Sequence, residues 1–471
     1  MVMGDMVMKV DVVVIGGGPG GYSAALRAAN LGLDVTLVDS RPHPGGAYLH
    51  DECIPAKTLL SLVQILDDAK NAQNKGIHFT QPKIDLPQLL DWKKSVVENL
   101  ASELNHQISS RGIQLIHGTA FFENSTTVRL KDSEISRLKF KHAIIATGST
   151  PKMLPASTPP SHIRILTSAD ALTLTTIPDR MLIVGGGCVG VEIGTIYQAL
   201  GATIHLIEQK DQILPDIEED LTEPLRQKLS EQFERIMLRT TINKLIENEE
   251  NVQVELQTTD GTETNCYDRV IVAIGRKPVT HGLGLENTGV QLDEWGFIQT
   301  DMQQRTAEPH IYAVGDVTNS TMRAHTAIRQ GEVAAEVIAG QSSAFDVRAI
   351  PNVVYTNPQI AWCGLSAHEA AKLNIPVTCQ EIPWKYSIRA NTMGATEGLT
   401  KIISSEDDGR ILGAAIVGCG AETLISEWVL AIEMGALIDD MSLCLHPSPT
   451  LSEPGSDTSK MRTHNTTQLL Q

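Results

Sequence analysis

Two stretches of this chain repeat one pattern, and that pattern leaves few folds open. Residues 12–39 read VVVIGGGPGGYSAALRAANLGLDVTLVD, and residues 181–208 read MLIVGGGCVGVEIGTIYQALGATIHLIE. Each begins with a β-branched apolar run that suits a buried strand. A glycine turn follows, then an apolar helix of about 15 residues, then a second strand ending in an acid. This is the βαβ rhythm of a dinucleotide-binding fold. Two copies separated by roughly 170 residues predict an α/β chain with two Rossmann-like dinucleotide-binding domains.

Glycine is needed in these turns for a tight bend, for close backbone approach to a pyrophosphate, and for packing of helix on strand. Gly16, Gly18 and Gly21 supply the first set, and Gly185, Gly187 and Gly190 the second. The helix that follows points its N-terminus at the phosphate charge. Asp39 and Glu208 end the second strands, where an acid binds ribose hydroxyls. Glu208 would also repel a 2′-phosphate, and Gln209-Lys210 follow it rather than an arginine. NAD(H) is therefore expected over NADP(H), with Lys210 the residue able to soften that preference.

The rest of the chain divides around these units. Residues 56–75 and 85–109 read as helices, and 112–145 as strands closing on Ala146-Thr147-Gly148-Ser149. Pro151, Pro155, Pro159 and Pro160 mark the crossing to the second unit. Residues 250–274 alternate as strands, and the run at 311–318 is a strand that halts at Gly315-Asp316 and returns to the first sheet. After about 345, short strands alternate with helices near 366–373 and 421–436, a C-terminal α+β domain. The expected boundaries are 1–150 and 276–344 for the first nucleotide domain, 151–275 for the second, and 345–455 for the C-terminal domain. A polar tail is expected over 456–471.

Composition narrows the function classes. A net charge of −18 from 56 acidic and 38 basic residues argues against nucleic acid, whose backbone attracts a basic face. The seven cysteines are scattered, with no spacing of a disulfide framework or zinc site. No metal site is expected, and a reducing cytoplasmic setting fits. No apolar run reaches the roughly 20 residues of a membrane span.

Through Glu453 the sequence resembles the flavoprotein pyridine nucleotide-disulfide oxidoreductases, dihydrolipoyl dehydrogenase above all. The resemblance rests on the first glycine loop, Cys53-Ile54-Pro55-Ala56-Lys57, ATG at 146–148, GGG at 185–187 with Glu192, and GRKP at 275–278. It continues through YAVGD at 312–316, Ala324-His325, YTNPQIAWCG at 355–364, RILGAAIVG at 410–418 and HPSPTLSE at 446–453. It implies FAD on the first domain, NAD on the second, and a homodimer formed through the C-terminal domain. Gly46, Thr147, Gly148, Gly275, Ala324 and His325 are implied cofactor contacts. By the same resemblance Asp316 holds the flavin's ribitol chain, and Lys57 and Glu192 pair near its reactive nitrogen.

At two positions the sequence departs from that family. The family carries two redox cysteines five positions apart; Cys53 matches the second, but Tyr48 stands at the first. A phenol cannot exchange disulfides. The family's C-terminal segment reads His-Pro-His-Pro-Thr, its second histidine acting as acid–base beside a glutamate. Here Ser448 holds the base position and Glu453 remains. A one-register shift would place His446 in that role, and Cys444 is the cysteine most able to stand in for the missing sulfur. Cys188 lies where the family often has an aromatic residue over the flavin; it either packs or opens the nicotinamide face.

Hydride transfer from NADH to flavin needs only positioned cofactors. The expectation is an FAD-dependent NADH oxidoreductase that passes electrons to a quinone or another small-molecule electron acceptor without a redox disulfide. Cys53 would tune the flavin; cycling through a sulfenic acid is a further route. The alternatives are an ordinary dihydrolipoyl dehydrogenase docked to a 2-oxoacid dehydrogenase complex, or a non-catalytic flavin-bound scaffold.

Overall fold

The computed structural model describes residues 7–80, 82–154, 163–318 and 321–461. Pro155, Pro159 and Pro160 of the expected crossing lie outside these. In the first unit, strand Val7–Ile15 runs parallel to Val35–Asp39, Val12 opposite Val35 and Ile15 opposite Val38. The helix between them spans Pro19–Asn30, 12 residues, shorter than its apolar pattern suggests. It stops because Leu31 leaves helical geometry and Gly32 takes φ +83°.

Seven strands form the first sheet. Their order is Gln114–His117, Val35–Asp39, Val7–Ile15, Arg137–Ile145, Thr127–Lys131 and Thr119–Asn124, with Ile311–Ala313 also pairing with Arg137–Ile145. Val13 and Ile15 pack into one apolar cluster, Val12 and Val14 into another. The sheet is thus covered on both faces, which explains the continuous apolar runs. The helix Ala324–Ile338 lies against Pro19–Asn30. Contact there is close enough that a Cβ on Gly331 would sit 2.3 Å from the Gly20 carbonyl oxygen, and Arg27 pairs with Glu336 at 2.8 Å.

The second sheet is parallel throughout, in the order Arg235–Met237, Thr203–Ile207, Arg180–Val184, Arg269–Val272, Ile165–Thr167. Its helix, Cys188–Ala199, again has 12 residues. An antiparallel three-stranded sheet, Thr241–Glu247, Val252–Thr258 and Gly261–Tyr267, adjoins it. Arg276–Pro278 pairs with Ser149–Pro151, so the chain's two crossings between the nucleotide units run side by side.

The C-terminal unit is an antiparallel sheet ordered Asn352–Val354, Gln359–Gly364, Ile411–Gly418, Leu399–Ser405, Val377–Pro383. Helix Ala421–Met434 packs on it through Ile425, Trp428 and Ile432. The expected tail begins too early. Glu453–Lys460 is a helix whose Pro454, Gly455, Ser456, Thr458 and Ser459 are buried. Gly455 sits so close to Trp428 that a Cβ would come within 2.6 Å of its ring. Residues 462–471 of the expected tail lie outside the described residues.

Register fixes where a site can form. Ile15 and Ala313 both pair with Ile145, so three neighbouring parallel strands end together. Gly16, Ala146-Thr147-Gly148 and Gly315-Asp316 leave the sheet from these carboxyl ends. In the second sheet Val184 pairs with both Ile207 and Val272, which brings Gly185, Glu208 and the segment leading to Gly275 together. The carboxyl ends of parallel strands are where ligands bind in open α/β sheets.

Candidate active site

Both glycine loops are built the same way. A Cβ on Gly21 would lie 1.8 Å from the Gly16 oxygen, and one on Gly190 would lie 1.9 Å from the Gly185 oxygen. Helix and loop touch backbone to backbone, so neither position tolerates a side chain. Gly16 and Gly185 turn at φ +102° and +106°. No side chain caps either following helix, so the first-turn N–H groups are free for an anion. Space exists for it: a Cβ on Gly187 would meet no atom within 4 Å, and one on Gly18 would meet only the Gly46 Cα, at 3.8 Å. Two pyrophosphates fit these two cradles.

The strand-end acids do more than sequence reasoning assigned them. Asp39 accepts the Gly17 N–H at 2.5 Å and the Arg41 N–H at 2.7 Å. Glu208 accepts from Gly186 and Lys210, both at 2.8 Å. Each carboxylate first fixes its glycine loop. With about four acceptor sites, each retains capacity for a ribose hydroxyl.

Around the first sheet's strand ends, Thr147 donates its hydroxyl to the Val279 carbonyl at 2.7 Å. Asp316 accepts from Ser149 Oγ at 2.6 Å and lies 4.0 Å from Arg276 Nε. Arg276 also donates to Ser149 Oγ and to the Ser149 carbonyl, both at 2.6 Å, and pairs with Glu52. This latch joins the residue before Cys53 to the GRKP segment. Sequence reasoning marked the motif but not Arg276 or Glu52; their 224-residue separation hides the pair. Gly148 and Gly275, at φ +72° and +102°, have open surroundings. Ala324 opens a helix, and burial together with Arg323 holds the His325 imidazole pKa below its usual value.

Lys57 and Glu192 come together as expected, Nζ to Oε2 at 2.7 Å. The Glu192 side chain is 6% exposed. Its second oxygen accepts the Tyr355 N–H at 3.0 Å, and Lys57 Nζ stands 4.6 Å from the Tyr355 ring centre. Burial alone would lower the Lys57 pKa; Glu192 reverses this, and the net shift is upward.

Cys53 begins helix Cys53–Ala72, and Tyr48 lies on the short helix Gly46–His50 just before it. Burial raises the Cys53 thiol pKa; Lys57 opposes this and Glu52 adds to it. Burial and Cys53 likewise raise the Tyr48 pKa. Cys188 starts its helix and is similarly raised by burial. All seven cysteines are free thiols. Cys444 is exposed, its Sγ directed at the Asp440 carbonyl.

The C-terminal segment differs from expectation in its pairing. Glu453, the expected glutamate of the base position, accepts the Thr450 N–H at 2.7 Å and starts the last helix. His446 instead pairs with Glu427, Nε2 to Oε1 at 2.8 Å. Ser448 is exposed and precedes a cis proline. A cavity of about 790 Å³ lies beside the segment that follows Tyr48, bounded by His50, Pro55, Leu90, Val97 and Leu172; no sequence signal marked it. Among the described residues no cluster suits a metal ion, and no helix is long and apolar enough to cross a membrane.

Comparison with known proteins matches residues 10–331 to the pyridine nucleotide-disulphide oxidoreductase model and 350–457 to that family's dimerisation domain. The chain belongs to this family. It is 40% identical over 466 residues to the dihydrolipoyl dehydrogenase of Buchnera aphidicola subsp. Schizaphis graminum, covering 98% of both chains. The dihydrolipoyl dehydrogenase of Haemophilus influenzae is 39% identical over 448 residues, 95% of this chain and 93% of that one. The crystal structure of LpdA from Mycobacterium tuberculosis superposes with a TM-score of 0.88 at 28% identity, covering 96% of this chain and all of that one. The fold is also that of RclA from Escherichia coli, an HOCl-induced flavoprotein disulfide reductase: TM-score 0.85, 24% identity, 96% and 99% coverage.

As a pyridine nucleotide-disulphide oxidoreductase the protein uses FAD and NAD(H). The two uncapped helix starts and the open faces of Gly18 and Gly187 accommodate them. Gly16, Gly18, Gly21, Asp39 and Asp316 would hold FAD; Gly185, Gly187, Gly190 and Glu208 would hold NAD(H).

Proposed function

We propose that this family member is an NADH oxidoreductase that delivers electrons from FAD to a quinone or similar diffusible acceptor, without a redox disulfide. The observation that carries the reading is Tyr48. It stands where the family resemblance calls for the first redox sulfur, beside Cys53, and no disulfide joins any cysteine of the chain. Bound FAD supplies the chemistry that takes hydride from NADH and passes electrons on. The chain's own residues bind and orient. The glycine loops seat the pyrophosphates, Glu208 favours a free 2′-hydroxyl, and Lys57 is fixed by Glu192 near the expected flavin edge. Arg276 clamps the start of the Cys53 helix. The absence of an imidazole at Ser448 fits a reaction with no thiol to deprotonate. A homodimer and a cytoplasmic setting accord with the dimerisation domain and with seven free thiols.

The second reading is dihydrolipoyl dehydrogenase itself, favoured by the curated relatives near 40% identity. It would bring docking to a 2-oxoacid dehydrogenase complex. Steady-state assays of the holoenzyme separate the two. NADH-driven naphthoquinone reduction is expected, with NADH favoured over NADPH by about tenfold or more in kcat/KM, and negligible dihydrolipoamide oxidation. Ordinary turnover with dihydrolipoamide would overturn the proposal.

A further inference from the structure

We propose that the Tyr48 phenol is the hydrogen-bond donor that seats a planar carbonyl compound, a quinone ring, beside Cys53. This rests on the reading that a diffusible acceptor replaces the dithiol. Three observations carry it. First, Tyr48 occupies a half-buried position on Gly46–His50, close enough to feel the charges of Cys53 and Lys57. Second, its hydroxyl makes no hydrogen bond to any described residue. The hydroxyl is not sealed from solvent, so it can exchange water for a ligand's carbonyl oxygen. Third, Lys57 is bound to Glu192 at 2.7 Å, which holds its ammonium in one place and directs one of its three donors away from a ligand.

The surroundings suit a flat, weakly polar ring. Tyr22, Tyr48 and Tyr355, three of the chain's seven tyrosines, share this neighbourhood. Tyr22 follows the first glycine loop, and Tyr355 lies under Lys57. Aromatic faces stack on a quinone, and a neutral O–H meets its carbonyl oxygen. Burial keeps the Tyr48 phenol protonated well above neutrality, so the donor persists across the working pH range. A thiol at the same place offers only a weak donor and no ring face.

The test is a calorimetric titration of a naphthoquinone into the oxidised holoenzyme with NADH absent, so that no turnover occurs. Tyr48→Phe is expected to weaken binding roughly fivefold, the scale of one hydrogen bond. Tyr48→Ala should weaken it further. A methylnaphthalene of similar size, which lacks carbonyls, should bind the native protein and Tyr48→Phe equally, showing that the loss belongs to the hydrogen bond and not to a disturbed fold. Equal naphthoquinone affinity in the native and Phe proteins would overturn the proposal. Affinity lost in Leu90→Trp but unaltered in Tyr48→Phe would do so too, placing the ring in the 790 Å³ cavity. In both cases the proposed function stands if NADH still drives quinone reduction; if no quinone or dye is reduced, that reading fails as well.

Discussion

A thiol next to a lysine and at a helix start ordinarily becomes more acidic. Cys53 does not, because burial outweighs Lys57 and Glu52 adds an opposing negative charge. A thiol held protonated in this way is a weak nucleophile, which speaks against a sulfenic acid cycle. Restoring the family's dithiol chemistry takes more than one residue. Tyr48→Cys should produce a reducible disulfide with Cys53 but slow dihydrolipoamide turnover, since Ser448 offers no base. Adding Ser448→His should raise that turnover by about a hundredfold. The histidine change alone should do nothing, because an imidazole assists only when the second sulfur exists. Assays of the two single variants and the double variant check this. Equal turnover in Tyr48→Cys with and without the histidine would show that His446, held by Glu427, already serves as base.

At the scale of elements, the two glycine loops make a sharp distinction between neighbours. Gly187→Ala adds a methyl into open space in front of the helix, whereas in Gly190→Ala the methyl meets the Gly185 oxygen. Gly187→Ala should fold with its melting temperature within a few degrees of native and bind NADH at least tenfold more weakly. Gly190→Ala should lose about 1–3 kcal/mol or more, as overpacked sites do. Thermal melts and NADH titrations separate the two, and similar behaviour in both would contradict the loop geometry. These loops were legible in the sequence because strand, turn, helix and acid are all local signals. So was the returning strand at 311–313, from its apolar run and its stop at Gly315. The last helix was not legible. EPGSDTSK carries no apolar stripe, and it is buried because Gly455 allows close approach to Trp428. Its hydroxyls are satisfied within the helix: Thr458 donates to the Pro454 carbonyl at 2.6 Å and Ser459 to the Gly455 carbonyl at 3.0 Å. The partners of Glu453, His446 and Arg276 were hidden for the related reason that tertiary packing, not spacing, selects them.

For the whole molecule, the C-terminal unit leaves an apolar surface uncovered within one chain. Leu430, Met434, Leu443 and Leu445 are exposed, the last two at 80% and 99%, close to the Ser448 segment. Surfaces of this kind mark protein contacts, and the dimerisation domain assigned to residues 350–457 accounts for it. Light scattering should give twice the chain mass of 51.1 kDa, and Leu445→Asp should shift the protein toward monomer at micromolar concentration. A native monomer, or an unaffected variant dimer, would contradict this use of the surface. Whether the protein works without a redox disulfide is decided by counting electrons. Anaerobic dithionite titration of the holoenzyme, followed by its flavin absorbance, should end after two electrons per subunit, the capacity of FAD alone. Uptake of four, the capacity of FAD plus a disulfide, would show that a second sulfur completes the pair with Cys53 and that the protein does run a redox disulfide.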